Sequence, residues 1–204
     1  GVDVDGDKVT VRFRLPTYWC AANFAYMMAS DIRDRVSELP WVNQVDVLLQ
    51  DHFHDDEINE GMKNGKTFLN AFPDATESLE DLRETFRIKA FQSRQERVLR
   101  WLKRKGLQEE TILQMRVGDL KELLNKRQVA KLVERYLNIR QERGLTDDID
   151  AEAFSHPDGS PIDPGGLQLL LNKASSTRLS MEFNTAFCSG LLKTRYGEDK
   201  QGLQ

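Results

Sequence analysis

The sequence predicts an α+β fold, a small mixed sheet followed by an α-helical extension, and two observations carry that prediction. In residues 8–15, Val9, Val11, Phe13 and Leu15 alternate with Lys8, Thr10, Arg12 and Arg14, the period-2 pattern of a half-buried strand. From Ser78 onward the apolar residues instead recur at helical spacing. Strands gathered at one end and helices at the other are the segregated pattern of α+β chains.

Taken in order, Val2–Val4 reads as the end of a strand, and Asp5-Gly6 as the hairpin turn into residues 8–15. Pro16 cannot donate to a ladder and ends that strand. Phe24, Met28, Ile32 and Val36 then recur every fourth residue, a helix with one apolar stripe, stopped by Pro40. Val45, Val47 and Leu49 alternate again. A strand–helix–strand unit this short predicts a right-handed crossover between adjacent parallel strands. Acidic residues 55–60 suggest a short helix closing near Asn64-Gly65, and Phe68, Leu69, Phe72 and Pro73 an apolar linker docked on the sheet.

Ser78, with Asp81 three residues on, caps a helix of roughly 27 residues, or one broken near Gln92-Ser93. Residues 109–115 form a short helix, and Val129, Leu132, Val133, Tyr136 and Leu137 mark another that Gly144 stops. His156 through Gly166 is a loop by its turn residues. Residues 167–172 make a short helix, and Ser180 caps a final one in which Phe183, Phe187 and Leu191 repeat every four residues. The expected organisation is an α/β domain over 1–55, a linker over 56–76 and a helical extension over 77–204.

Composition narrows the function. At 204 residues, 39% hydrophobic and 30% charged, the chain has material for a core, and no apolar run reaches the roughly 18 residues of a membrane span. Two distant cysteines, Cys20 and Cys188, make no disulfide framework and fit a reducing cytoplasm. A net charge of −4 argues against a dedicated nucleic-acid binder. There is no phosphate-binding loop, dinucleotide fingerprint or nucleophile elbow. Residues 101–120 faintly resemble a tyrosine-recombinase segment, but Gln108 stands where its arginine is expected and no His-x-x-Arg with a following Tyr occurs.

Cys20 falls just past a strand end, beside a helix N-terminus, where unpaired N–H groups and the helix dipole favour an anion. A thiolate there is a better metal ligand and nucleophile, though a free cysteine reads equally well as a small buried hydrophobe. Three segments around it are Asp5-Gly6-Asp7-Lys8-Val9-Thr10-Val11, Thr17-Tyr18-Trp19-Cys20, and Leu39-Pro40-Trp41-Val42-Asn43-Gln44-Val45-Asp46-Val47. In order and spacing they resemble the SufT/PaaD-like iron–sulfur cluster assembly domain family over about residues 2–51, with Trp19 where the family usually has Gly. The resemblance puts Cys20 on the family's cluster- or metal-linked cysteine and Thr17 on the threonine of its loop. The implied domain, residues 1–55, lacks the family's N-terminal part. The whole chain looks like longer members found beside bacterial di-iron hydrocarbon monooxygenases. That implies a non-enzymatic accessory protein for iron–sulfur or iron-centre assembly, with iron or a cluster bound transiently. Its client would be a di-iron monooxygenase subunit, and neither nucleic acid nor membrane would be a partner. A homo-oligomer is compatible with this.

His52 and His54 lie two apart beside Asp51, Asp55, Asp56 and Glu57. Imidazoles and carboxylates suit iron or zinc, but the same residues also read as a solvated acidic turn. With Cys20 and Cys188 they complete the candidate metal ligands. Arg87, Arg94, Arg97, Arg100 and Lys103 make the long helix basic, either as a docking face for an acidic partner or as a solvated side. Two functions therefore stand side by side: an assembly accessory using Cys20 as ligand or transfer thiol, and a non-catalytic interaction module without metal chemistry.

Overall fold

The computed structural model describes residues 1–197. They form two compact units, Gly1–Leu82 with the chain from Asn184, and Arg83–Phe183. The fold is α+β, one three-stranded mixed sheet with a helical C-terminal part. No described helix is long and apolar enough to cross a membrane.

In the first unit β1 (Val2–Asp5) and β2 (Lys8–Arg14) form an antiparallel hairpin, with Val4 opposite Val9. Gly6 takes the left-handed conformation that its tight turn requires (φ 61°). Helix α1 (Ala22–Ser37) returns the chain to β3 (Gln44–Gln50), which pairs parallel with β2, Val9 opposite Val45 and Phe13 opposite Leu49. The strand order is β1-β2-β3. Helices α2 (Asp55–Lys63) and α3 (Phe68–Ala71) follow. Leu15, Val47 and Leu49 pack with Ala25, Tyr26, Ala29, Ile58, Met62 and Phe68 in one core. Residues 56–76, expected to be a linker, thus supply Ile58, Met62 and Phe68 to that core. The acidic first turn Asp55-Asp56-Glu57 complements the N-terminal dipole of α2.

The stripe expected on α1 is rotated. Ala25, Tyr26, Ala29 and Ser30 are its buried residues, while Phe24 is exposed and Met28 and Ile32 only flank the core. Alanines carry little weight in a periodicity reading, yet their small side chains let a helix lie close on a sheet. Tyr26 reaches past Gly61, where a Cβ would lie 2.9 Å from its ring, and donates to the Lys66 carbonyl at 2.6 Å. Asn59 of α2 accepts from the Leu49 N–H (2.8 Å) and donates to the Leu49 carbonyl (2.9 Å), on the side of β3 away from β2.

Lys8 on β2 meets Asp46 on β3 at 2.7 Å, and this hydrogen bond holds the Asp46 carboxyl below its ordinary value. A depressed carboxyl contributes stability that is complete above the unfolded value, about 4, and is lost as pH falls through the lower folded value. Acid unfolding of the native chain should therefore steepen below about pH 4, and Asp46→Asn should flatten that limb. Urea midpoints measured across pH 2–6 check this, and identical profiles would refute it.

The second unit is built from α4 (Leu79–Arg104), α5 (Glu109–Gln114), α6 (Val117–Leu123), α7 (Ala130–Glu142) and the first part of α8 (Leu167–Tyr196). Phe91, Val98, Leu99, Leu102, Val133, Tyr136, Leu167 and Leu171 form much of its core. Helix α4 is continuous through Gln92-Ser93, and Ser78 and Asp81 make the reciprocal capping bonds at its start. Helix α6 had no counterpart in the sequence reading. Nor does Ser180 start a helix, because α8 runs unbroken from Leu167. Its hydroxyls are absorbed within the helix, as where Thr177 Oγ1 donates to the Lys173 carbonyl (3.1 Å). Phe183 and Phe187, read as an apolar stripe, are exposed.

A buried polar cluster fastens the segment after α7. Tyr136 Oη donates to Gln95 Oε1 (2.5 Å), which also accepts from the Ser155 N–H, and Gln95 Nε2 donates to the Ser155 carbonyl (3.1 Å). Arg140, 4% exposed, donates to the carbonyls of Ala153 (3.0 Å) and Thr146 (3.4 Å). Burial pushes the Tyr136 phenol far above its ordinary range, so it stays a donor at any working pH.

Candidate functional site

Two loops at the carboxyl ends of the parallel strands form the candidate site. The first, residues 15–21, leaves β2 at Leu15-Pro16 and enters α1; the second, residues 51–54, joins β3 to α2. In parallel arrangements this end of the sheet is the usual place for ligands, because connections diverge there. Cys20 lies one residue before the α1 N-cap Ala21, which offers no side-chain cap. It is half-buried, and its Sγ lies 3.2 Å from Thr17 Oγ1.

His52 stitches the loops together. It is 1% exposed, and its Nδ1 accepts from the His54 backbone N–H (3.1 Å). The ring proton therefore sits on Nε2, which donates to the Cys20 carbonyl at 2.8 Å. Both nitrogens are occupied by these hydrogen bonds, so His52 holds the cysteine loop in place. Phe53 N–H donates to the Tyr18 carbonyl (2.9 Å) as a second stitch. Asp51 takes a left-handed conformation (φ 58°) in the turn, its carboxylate held by Arg195 (2.8 Å) and the Tyr196 hydroxyl (2.7 Å). Burial and this donation to Asp51 push the Tyr196 phenol up.

His54 is set between the rings of Phe53 (4.7 Å) and Phe72 (5.3 Å), with Nδ1 3.6 Å from Glu57 Oε1. Cys188 is exposed on α8. Among the described residues no three His, Cys, Asp or Glu side chains converge where a metal ion could be held. Cys20, His52, His54 and Cys188 are thus not brought together as a ligand set; the His52 ring is bonded within the turn that carries it, and His54 Nδ1 is buried without a hydrogen-bond partner among the described residues.

What the structure adds is an aromatic surface. Trp19 is 70% exposed, Phe53 50% and Tyr18 40%. Trp19 stacks on Phe53 with ring centroids 4.5 Å apart, and Tyr18 meets Trp19 edge-on at 5.2 Å. Two aromatic side chains next to Cys20, and a third beside His52, were visible in the sequence; their joint exposure was not, because it depends on two loops 30 residues apart meeting. Grouped exposed aromatics are the composition of binding surfaces.

Most of the basic residues of α4 are exposed, but they are engaged by neighbouring side chains. Arg97 pairs with Glu182 (2.9 Å), Lys103 donates to Gln168 Oε1 (3.0 Å), and Arg87 lies 3.6 Å from Glu84. Arg100 Nε meets Glu96 Oε1 (2.6 Å) and its NH2 donates to Ser175 (3.1 Å). Arg178 Nε holds the other oxygen of the buried Glu96 (3.1 Å) and its NH1 holds Glu182 (2.8 Å). Those bonds to carboxylates raise the Arg178 guanidinium still further above its ordinary value. Arg97, Arg100 and Lys103 therefore tie α4 to the first part of α8. Arg94 donates to the Arg135 carbonyl at 3.5 Å and has no ion pair among the described residues. No family model, no curated protein and no solved structure matches the chain.

Proposed function

We propose that the chain is a cytoplasmic accessory protein for metal-centre assembly, in which Cys20 gives one thiolate to an iron or iron–sulfur cargo and a protein client supplies the remaining ligands. The observation that carries this reading is the position of Cys20, fixed from both sides. Its sulfur rests on Thr17 and its carbonyl on His52, at the strand ends and beside an exposed aromatic surface. The resemblance of residues 2–51 to the SufT/PaaD-like family supports the same role, as does the match of Thr17 and Cys20 to its loop. The neighbouring imidazole is committed to hydrogen bonds, which favours a passing cargo over a resident one. The step is ligand exchange without net redox. The thiol loses its proton to solvent on binding iron and regains one when client ligands displace it. By resemblance the client is a di-iron monooxygenase subunit.

A second reading, an interaction module without metal chemistry, is favoured by the Trp19–Phe53–Tyr18 surface alone. Anaerobic titration of the reduced chain with ferrous iron, with and without sulfide, separates the two. Wild type and Trp19→Ala should bind iron and Cys20→Ser should lose at least tenfold in affinity, since one thiolate dominates such a site. Equal iron binding by wild type and Cys20→Ser, or none by either, would leave the interaction module.

A further inference from the structure

A cleft of 510 Å³ lies in the second unit, with Ser93, Arg94 and Arg97 of α4 on one wall and Arg135, Asn138 and Glu142 of α7 on the other. Ala90, Leu132 and Met181 give it an apolar lining. Several arginines of this unit are matched to carboxylates: Arg97 and Arg178 to Glu182, Arg100 and Arg178 to Glu96, and Arg143 to Glu84. Arg94 and Arg135 are not, and they line the same cleft. Among the described residues neither guanidinium has a carboxylate within 4.0 Å, although Glu142 shares their cleft. Two unmatched guanidiniums over a partly apolar lining, with an amide and a hydroxyl beside them, are complementary to carboxylates next to aliphatic side chains.

We propose that this cleft binds an acidic segment of a partner protein, its carboxylates on Arg94 and Arg135 and an adjoining aliphatic side chain on Leu132. A nucleic-acid backbone fits less well. It needs a run of converging cations, and here Glu142 and Glu182 interrupt the positive charge in a chain of net charge −4. The site is independent of Cys20, so it stands or falls apart from metal-centre assembly. It places recognition of a partner on the helical unit.

The test uses the full chain with an N-acetylated, amidated Glu-Glu-Leu-Glu-Glu peptide, its Gln-Gln-Leu-Gln-Gln counterpart, inorganic phosphate and a ten-nucleotide single strand of DNA, followed by amide NMR shifts and fluorescence anisotropy. The acidic peptide should shift amides of α4 and α7, and Arg94→Ala with Arg135→Ala should weaken it about tenfold or more. Arg104→Ala, on an exposed part of α4 outside the cleft, should change it by less than about twofold. The double variant should keep the wild-type melting profile, because neither side chain is in an ion pair. No binding of the acidic peptide, equal binding of the glutamine peptide, or equal affinity in the double variant would overturn the proposal. So would tighter binding of DNA at the same residues, or saturation by phosphate alone.

Discussion

Replacing Arg100 and Arg178 together by methionine is expected to cost the fold about 3–5 kcal/mol, the range for stripping a buried charge of its partners. The Glu96 side chain is only 1% exposed, and each of its oxygens is held by one of these guanidiniums, at 2.6 and 3.1 Å. Without them the carboxylate remains in a site that water does not reach. The single changes should be unequal. Arg100 is 49% exposed and holds one oxygen from the rim, whereas Arg178 is 20% exposed and links Glu96 to Glu182, so its loss should be the greater. Adding Glu96→Met to the double variant should recover most of the loss, since apolar replacement of a whole buried ion group is often near neutral. Urea denaturation followed by circular dichroism measures the four variants against wild type. A double variant as stable as wild type would mean that Glu96 is not held as described.

The second large effect is expected from His52→Leu. Leucine fills much of the space but leaves the Cys20 carbonyl and the His54 N–H without their bonds to the ring, 2.8 and 3.1 Å in the native chain. Buried backbone groups left unpaired cost about 1–3 kcal/mol each, so a loss of about 2–4 kcal/mol is expected. The consequence for the site is more specific. In a Cys188→Ser background, iodoacetamide labelling of Cys20 should accelerate several-fold in His52→Leu, because the loop that keeps the thiol half-buried against Thr17 is no longer tied to residues 51–54. An unchanged labelling rate in a folded variant would show that His52 does not position the cysteine loop.

These two predictions also mark where the sequence stopped being informative. Alternation in residues 8–15 and 45–49 was enough for two adjacent parallel strands, since register on a half-buried sheet is written in the side chains themselves. The placement of Cys20 before a helix followed from Pro16 and the spacing after it. The buried face of α1 did not, because Ala25 and Ala29 look neutral in sequence and reveal themselves only by how closely the helix lies on the sheet. Helix α8 was read as two because Ser and Thr are ambiguous between capping and bonding to the preceding turn. The role of His52 in the turn was hidden because its two hydrogen bonds run to backbone groups that no spacing rule connects. The engagement of the basic stripe of α4 was hidden for a similar reason: the partners of Arg97, Arg100 and Lys103 lie 65–85 residues away. Arg135 could not be singled out until its neighbours across the cleft were known.

The pair of bonds between Asn59 and Leu49 bears on how this chain meets others. The Asn59 amide presents a donor and an acceptor to Leu49, the same pair a peptide unit presents, so it imitates a fourth strand for the length of one residue. An extended peptide arriving along β3 would have to dislodge Asn59 and push aside the helix that bears it before it could extend the sheet on that side. Backbone-templated stacking of one molecule on the next is thereby stopped at this border, and recognition there falls to side chains, which can discriminate among partners as a bare ladder of amides does not.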